Sequence, residues 1–287
     1  GTLDALPFKL DGDLCYGPGI MDMKGGNYAC VEAMRQLIIA GLQSPLPVTI
    51  LFTPDEEVGT PSTRSLIEAE AKRNKYVLVP EPAHSDGGAT IGRYAIARFN
   101  LHTVGRPSHA GARLGDGKSA IAHMARKVLE IEAMSGPDCT FSIGVIHAGQ
   151  WVNCVSSHCD AEALSMAKTQ KDLDDGIARI MALQGYENGV EFHITRGVTR
   201  PVWDPNQPGT MALFDIAKDI CTELGFDLIG RSQGGGSDGN FTGYLGVPTL
   251  DSLGVRGEGL HTLTEHIEVS SLVERAKLMS ALIMRLE

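Results

Sequence analysis

Two hydrophobic rhythms alternate along the chain. Asn27 to Ala40 carries Cys30, Val31, Met34, Leu37 and Ile38 at helical spacing, and Gly41 closes it. Val48 to Phe52 is a continuous apolar run that predicts a buried strand, ending in Thr53-Pro54 and then Asp55-Glu56-Glu57. A helix is expected over about 62–71. A second apolar strand, Tyr76 to Val79, follows and runs into Pro80-Glu81-Pro82. Strand, helix and strand at this spacing predict a βαβ unit and a parallel sheet. The C-terminal edge of such a sheet is where open α/β folds place their sites. The first eighteen residues are turn-rich, with a short hairpin expected around Asp11-Gly12, and no strand precedes them.

The pattern changes near Gly92. Tyr94 to Val104 alternates like a half-exposed strand, and Gly117 to Met134 reads as an amphipathic helix. Strands over 140–147 and 160–167, a helix over 171–183 and a strand over 190–196 complete the order β-α-β-β-α-β. That is the order of a ferredoxin-like sandwich. After Pro201 the α/β character returns. A helix is expected over 210–224, strands over 226–229 and 247–253, a glycine loop over 234–239 and a terminal helix over 270–286. The expected fold is therefore α/β, a mostly parallel sheet with helices on both faces (residues 1–92 and 204–287). A ferredoxin-like α+β domain (residues 93–203) is inserted into it.

Composition adds mainly exclusions. A net charge of -10, with acids and bases interspersed, argues against a nucleic-acid partner. No apolar run approaches the ~20 residues needed to span a bilayer. The six cysteines are scattered and read as free thiols in a reducing compartment. A cytoplasmic location is expected, with the periplasm as the alternative because position 1 is Gly rather than Met. Cys154 and Cys159, with His158 between them, lack a second Cys/His pair at finger-like spacing.

The candidate chemistry lies at the ends of the expected strands. Three adjacent carboxylates, Asp55 to Glu57, read alone as a solvated acidic turn. Asp22, Glu81 and His261 each fall at or just beyond a strand end in the same α/β part, and together they favour a metal. Carboxylate oxygen and imidazole nitrogen suit zinc, and also manganese or cobalt. One of the adjacent glutamates would then be free to act as general base on the attacking water. Gly25 and Gly26, just before the first expected helix, are poor helix residues, costing ~1 kcal/mol each relative to Ala. They make sense where something approaches the backbone closely.

Four stretches carry a family resemblance: Tyr16 to Gly26, Thr53 to Glu57, Ser108 to Gly111 and Gly234 to Asn240. In order and spacing the chain resembles the dizinc metallopeptidases and deacylases of the glutamate carboxypeptidase, acetylornithine deacetylase and succinyl-diaminopimelate desuccinylase family. It is most similar to the glutamate-carboxypeptidase-like branch. The resemblance implies that Asp22 bridges two metals and that Glu57, Glu81 and His261 are further ligands, with Glu56 as general base. It implies that His109 reaches into a partner subunit's site to steady an oxyanion, and hence a homodimer formed through the inserted domain. Asn153, Arg200, Gly235, Gly236, Ser237 and Asp238 match the region holding the substrate carboxylate, with Arg196 a rival to Arg200. A cis peptide after Asp22 is also implied.

One departure stands out. The family carries a His-x-Asp motif ahead of the Gly-Pro-Gly-Ile-x-Asp stretch, and no His precedes His84 here. The chain therefore reads as a family member without that N-terminal part, one metal His and one catalytic Asp short. The function expected of the intact protein is metal-dependent hydrolysis of an amide bond in N-acyl amino acids or small peptides with a free carboxylate. A deacetylase or desuccinylase is the alternative enzyme, and a non-catalytic dimeric binding or scaffold protein the alternative of another class.

Overall fold

The computed structural model describes residues 1–287. Its architecture is a mixed α/β fold with two large hydrophobic cores and a small third one of Cys15, Met21, Val255 and Ile267. After a single helical turn α1 (Thr2–Ala5), β1 (Lys9–Asp11) and β2 (Leu14–Tyr16) form the expected hairpin, turning at Gly12 with φ +61. Helix α2 (Gly25–Ile39) begins two residues earlier than expected. Its two glycines are demanded by contact. A Cβ on Gly26 would lie 1.9 Å from the Pro80 carbonyl oxygen, and one on Gly25 would lie 2.7 Å from Val255 Cγ2. The buried face of α2 is the small-residue face, Ala29, Ala33 and Leu37, which packs on the C-terminal helix. Val31 and Ile38, expected inside, are exposed.

The run Val48 to Phe52 is the main correction. It joins no sheet and makes no backbone–backbone hydrogen bond, and Phe52 is 60% exposed. An apolar run becomes a strand only where another backbone lies alongside to take its N–H and C=O groups, and no other segment of this chain does so.

Next come α3 (Arg64–Ala71), β3 (Val77–Leu78) and β4 (Ala89–Arg93). Residues 95–200 then build the second unit. Strand β5 (Ala95–Val104) leads to α4 (Ala120–Glu132), capped by Ser119, whose hydroxyl accepts from Ala122 N–H. Strands β6 (Cys139–Ala148) and β7 (His158–Ala167), helix α5 (Gln170–Met181), β8 (Gly185–Glu187) and β9 (Val190–Arg200) follow. The antiparallel sheet runs β6-β7-β5-β9-β8. Strict alternation buries Phe99, Leu101, Ala161, Ala163, Phe192 and Ile194 under α4 and α5 and leaves the opposite face open.

Helix α6 (Pro208–Leu224) lies where expected, but the strand expected over Phe226–Ile229 pairs four residues later, as β10 (Gly230–Gln233), parallel to β4. Short α7 (Gly239–Tyr244) follows, then β11 (Thr249–Leu250), parallel to β3. A Thr90–Asp251 bridge links the two ladders. The parallel sheet thus exists as short two-stranded pieces. Strands β12 (Gly257–Glu258) and β13 (His266–Glu268) join the first hairpin in the order β1-β2-β13-β12, and α8 (Val269–Arg285) closes the chain. The second core is made mainly by α2, α6 and α8. No helix is long and apolar enough to cross a membrane.

Candidate metal centre

Asp22 sits in the π-helical turn Ile20–Lys24, and the Asp22–Met23 peptide is cis. The turn is fixed by Glu265, a residue that no motif singles out. Its buried carboxylate accepts from the N–H groups of Gly19 at 2.6 Å, Met21 at 2.9 Å and Asp22 at 3.1 Å. Glu57 lies in the 3-10 turn Glu56–Val58. Asp55 anchors that turn from outside, accepting from Ser62 N–H at 2.8 Å and from the Ser62 and Thr63 hydroxyls. Those hydrogen bonds hold the Asp55 carboxyl down at about 2. His261 arrives on the loop between β12 and β13 with φ +59, a left-handed conformation that non-glycine residues adopt only when their surroundings enforce it.

The three side chains converge. His261 Nε2 is 3.0 Å from Asp22 Oδ2 and 3.2 Å from Glu57 Oε2, and their ligating atoms all lie within 4.8 Å of one another. The cleft here, about 340 Å³, is lined by Asp22, Glu57 and Glu265 and by no Lys or Arg. One imidazole and two carboxylates, with no neutralising side chain in the walls, fit a divalent cation. Only Glu81 follows a paired strand. Asp22 is in a turn, Glu57 follows the unpaired run, and His261 is mid-loop, so loop geometry rather than one sheet edge assembles the group.

Glu81, expected as a ligand, is buried beside the triad rather than part of it. Burial, then the Asp251, Glu56 and Asp22 carboxylates, push its carboxyl well above the usual range, against the pull of Arg93. Glu56 takes a 2.6 Å ion pair from Arg200. Even so, burial outweighs Arg200, and with Asp238, Glu57 and Asp22 nearby its carboxyl is raised to about 7.

Arg200 is itself buried. It also donates to the Glu56 carbonyl at 3.1 Å and to Asp238 at 3.4 Å, so its guanidinium is occupied by this chain's own acceptors. Asp238 in turn accepts from Thr60 Oγ1 at 2.6 Å. Ser237 is fully buried and donates to Asp251, which is paired with Arg93 at 2.7 Å. Gly235 turns with φ +85, and its carbonyl accepts from Arg93. A Cβ on Gly236 would lie 2.4 Å from Arg200 Cδ. The glycine loop is thus an internal scaffold that seats Arg200 and Asp238. Arg196, by contrast, donates only to Thr199 Oγ1, at 3.3 Å, and lines a groove of about 580 Å³ with Gly59, Thr60, Arg64 and Thr199.

His109 and Asn153 lie together in the second unit. Ala110 N–H donates to the Asn153 carbonyl at 2.9 Å, and His109 Nδ1 accepts from the N–H groups of Gly111 and Ala112. No hydrogen bond or ion pair joins either residue to the triad.

A carboxylate–imidazole triad beside a buried glutamate, on a mixed α/β frame, marks a metal-dependent hydrolase. The family model described as peptidase family M20/M25/M40 matches residues 1–285, and the chain belongs to that family. It is a metal-dependent amide hydrolase. It is 31% identical over 295 residues to carboxypeptidase G2 of Pseudomonas sp. (strain RS-16), a match covering 100% of this chain and 70% of that one. It is 26% identical to succinyl-diaminopimelate desuccinylase of Burkholderia lata over 92% of this chain and 72% of the relative. Among solved structures, aminopeptidase PepT from Bacillus cereus superposes with a TM-score of 0.75 at 23% identity, covering 97% of this chain and 76% of that one.

Proposed function

We propose that the protein hydrolyses the amide bond of N-acyl amino acids or small peptides that carry a free carboxylate. The convergence of Asp22, Glu57 and His261 beside Glu56 carries this reading. These three residues, with Glu81, would hold zinc, or cobalt or manganese, which when bound polarises a carbonyl and acidifies water. Glu56 acts as general base, taking a proton from the attacking water and returning it to the leaving amine. Because His109 Nδ1 accepts two backbone N–H bonds, its proton resides on Nε2, making that edge a donor for a developing oxyanion.

His109 serves the site of a second copy. A homodimer through residues 93–203 is supported by β6, an unpaired sheet edge, and by exposed Ile121 and Leu129 on α4 and Trp151 nearby. The division into 1–92 with 204–287 and a separate 93–203 is supported by the two large hydrophobic cores. Arg196 receives the substrate carboxylate, since Arg200 is taken by Glu56 and Asp238. A reducing, cytoplasmic setting accords with six free cysteines.

The test is hydrolysis of a panel of N-acyl amino acids and dipeptides against their C-terminal amides, with zinc and with chelator. Zinc-dependent cleavage of the acids but not the amides is expected. Cleavage that survives chelation would overturn the reading. The desuccinylase relative favours a second reading, in which N-succinyl or N-acetyl diamino acids are cleaved fastest.

A further inference from the structure

The open face of the five-stranded sheet carries an unusual row. His147 on β6 pairs with Asp160 on β7, Asp160 pairs with His102 on β5, and His102 pairs with His193 on β9. Directly paired residues share a face of the sheet, with Cβ atoms ~5 Å apart. His158, two residues before Asp160, shares that face. Four of the nine histidines thus stand on one solvent-facing surface, opposite the side covered by α4 and α5.

Two of these imidazoles are already oriented. His102 Nδ1 is 2.5 Å from Asp160 Oδ1, and His158 Nδ1 is 2.9 Å from Ser157 Oγ. In each ring Nε2 has no protein partner. A carboxylate on one imidazole nitrogen is how metal-binding histidines are commonly held, since it fixes the tautomer and raises the basicity of the other nitrogen. The ring centroids of His102 and His158 are 5.8 Å apart. Two imidazoles bound to one tetrahedral zinc at ~2.0 Å per nitrogen would place their centroids ~5 Å apart. The observed separation is within about 1 Å of that span. His193, on the other side of His102, is paired through Nε2 with Glu191 Oε1 at 3.1 Å, so water would complete the coordination. The surface is accessible, with side-chain exposures of 39% for His102 and 65% for Asp160.

We propose that this face binds a divalent late first-row cation of the zinc class through His102 and His158, with Asp160 as the positioning residue for His102. This site lies in the second unit and shares no residue with the Asp22–Glu57–His261 triad, so the proposal does not depend on the catalytic reading. Imidazole nitrogen favours such ions over magnesium or calcium.

Equilibrium dialysis of the full chain against zinc tests it in a His261→Ala background, which removes the imidazole of the triad. One zinc per chain is expected to remain, weakened by more than ~10-fold in His102→Ala or His158→Ala and by ~10–100-fold in Asp160→Asn. As a second readout, zinc should shift the ring-nitrogen NMR signals of His102 and His158 in the wild-type chain, with calcium leaving them in place. All three substitutions are on the surface, so unchanged circular dichroism is expected. Zinc binding that is indifferent to His102→Ala and His158→Ala, or ring signals that do not move, overturns the proposal.

Discussion

The Arg200 guanidinium and the Glu56 carboxylate meet at 2.6 Å in a pocket where Arg200 is only 7% exposed. Thr60 and Asp238 complete the surround. Removing one member of a buried pair strands the other, at a typical cost of ~3–5 kcal/mol. Arg200→Ala is therefore expected to lower stability by about 3 kcal/mol, because it leaves two acids without their cation. Glu56→Gln should recover part of that loss when combined with Arg200→Ala. A double-mutant cycle by urea unfolding measures the coupling. Strictly additive effects would mean that the pair contributes nothing.

Glu56 and Glu57 are adjacent yet face different partners, one Arg200 and the other His261. Their substitutions should separate accordingly. Glu56→Gln is expected to keep bound zinc while kcat falls by ~10²–10⁴, the usual contribution of a general base. Glu57→Gln should lose zinc first, and excess zinc should restore part of its activity. Metal analysis of the purified variants beside their rates decides the matter. Equal zinc loss in both would erase the distinction.

How much of this was legible beforehand differs by element. The 95–200 unit could be read because each strand alternates and each helix carries a continuous stripe. Local pattern and tertiary burial agree there. Val48 to Phe52 misled because an apolar run records a tendency to pair, whereas pairing needs a neighbour that the run itself does not specify. β10 formed on Gly230–Gln233 rather than the more apolar Phe226–Ile229 because its register is set by Ala89–Arg93. In the site, Asp22, Glu57 and His261 are legible from their places near the ends of expected strands and from the motif resemblance. Glu265 was missed because a glutamate four residues beyond a histidine reads as surface acid. Only folding shows it buried against three N–H groups 243–246 positions away. Arg200's partner was equally hidden, 144 residues off.

Glu265 is accordingly the next test. Its carboxylate satisfies the Gly19, Met21 and Asp22 amides, and an unsatisfied buried donor costs ~1–3 kcal/mol. Glu265→Ala is expected to lower stability by at least ~2 kcal/mol and to weaken zinc binding by ~10–100-fold, the range seen when an orienting partner is lost. Glu265→Gln keeps one acceptor oxygen and should fall between the two. Calorimetric titration with zinc, alongside thermal unfolding, checks both effects. A variant that loses stability but binds zinc normally would show that the turn does not orient Asp22.

Arg196 and Arg200 make opposite predictions for substrate binding. Arg196 has one weak intramolecular partner and faces a groove, so a substrate carboxylate can pair with it. Arg196→Ala is expected to raise KM by ~10-fold, about 1.4 kcal/mol, with kcat within a factor of two. Arg200→Ala should instead lower kcat, because it releases Glu56. Kinetics on one acid substrate and its C-terminal amide distinguish them. If Arg200→Ala alone raises KM for the acid, the carboxylate belongs at Arg200.

The assembly of two copies rests on an edge. β6 has a neighbour only at β7, and its residues Val145 and Ile146 are exposed, as are Ile121 and Leu129 on α4. Unpaired N–H and C=O groups flanked by apolar side chains favour pairing with another edge, and the same edge of a second copy offers a self-complementary, two-fold contact. Light scattering is expected to give twice the 30.6 kDa chain mass. Ile146→Asp places a charge at the centre of that contact and should shift the mass to that of the monomer. Unchanged circular dichroism would show that the fold survives. If His109 serves the partner's site, the monomeric variant should also lose kcat to the extent that His109→Ala does, and adding His109→Ala to it should cost nothing more. A monomeric Ile146→Asp variant with full activity would remove His109 from the chemistry.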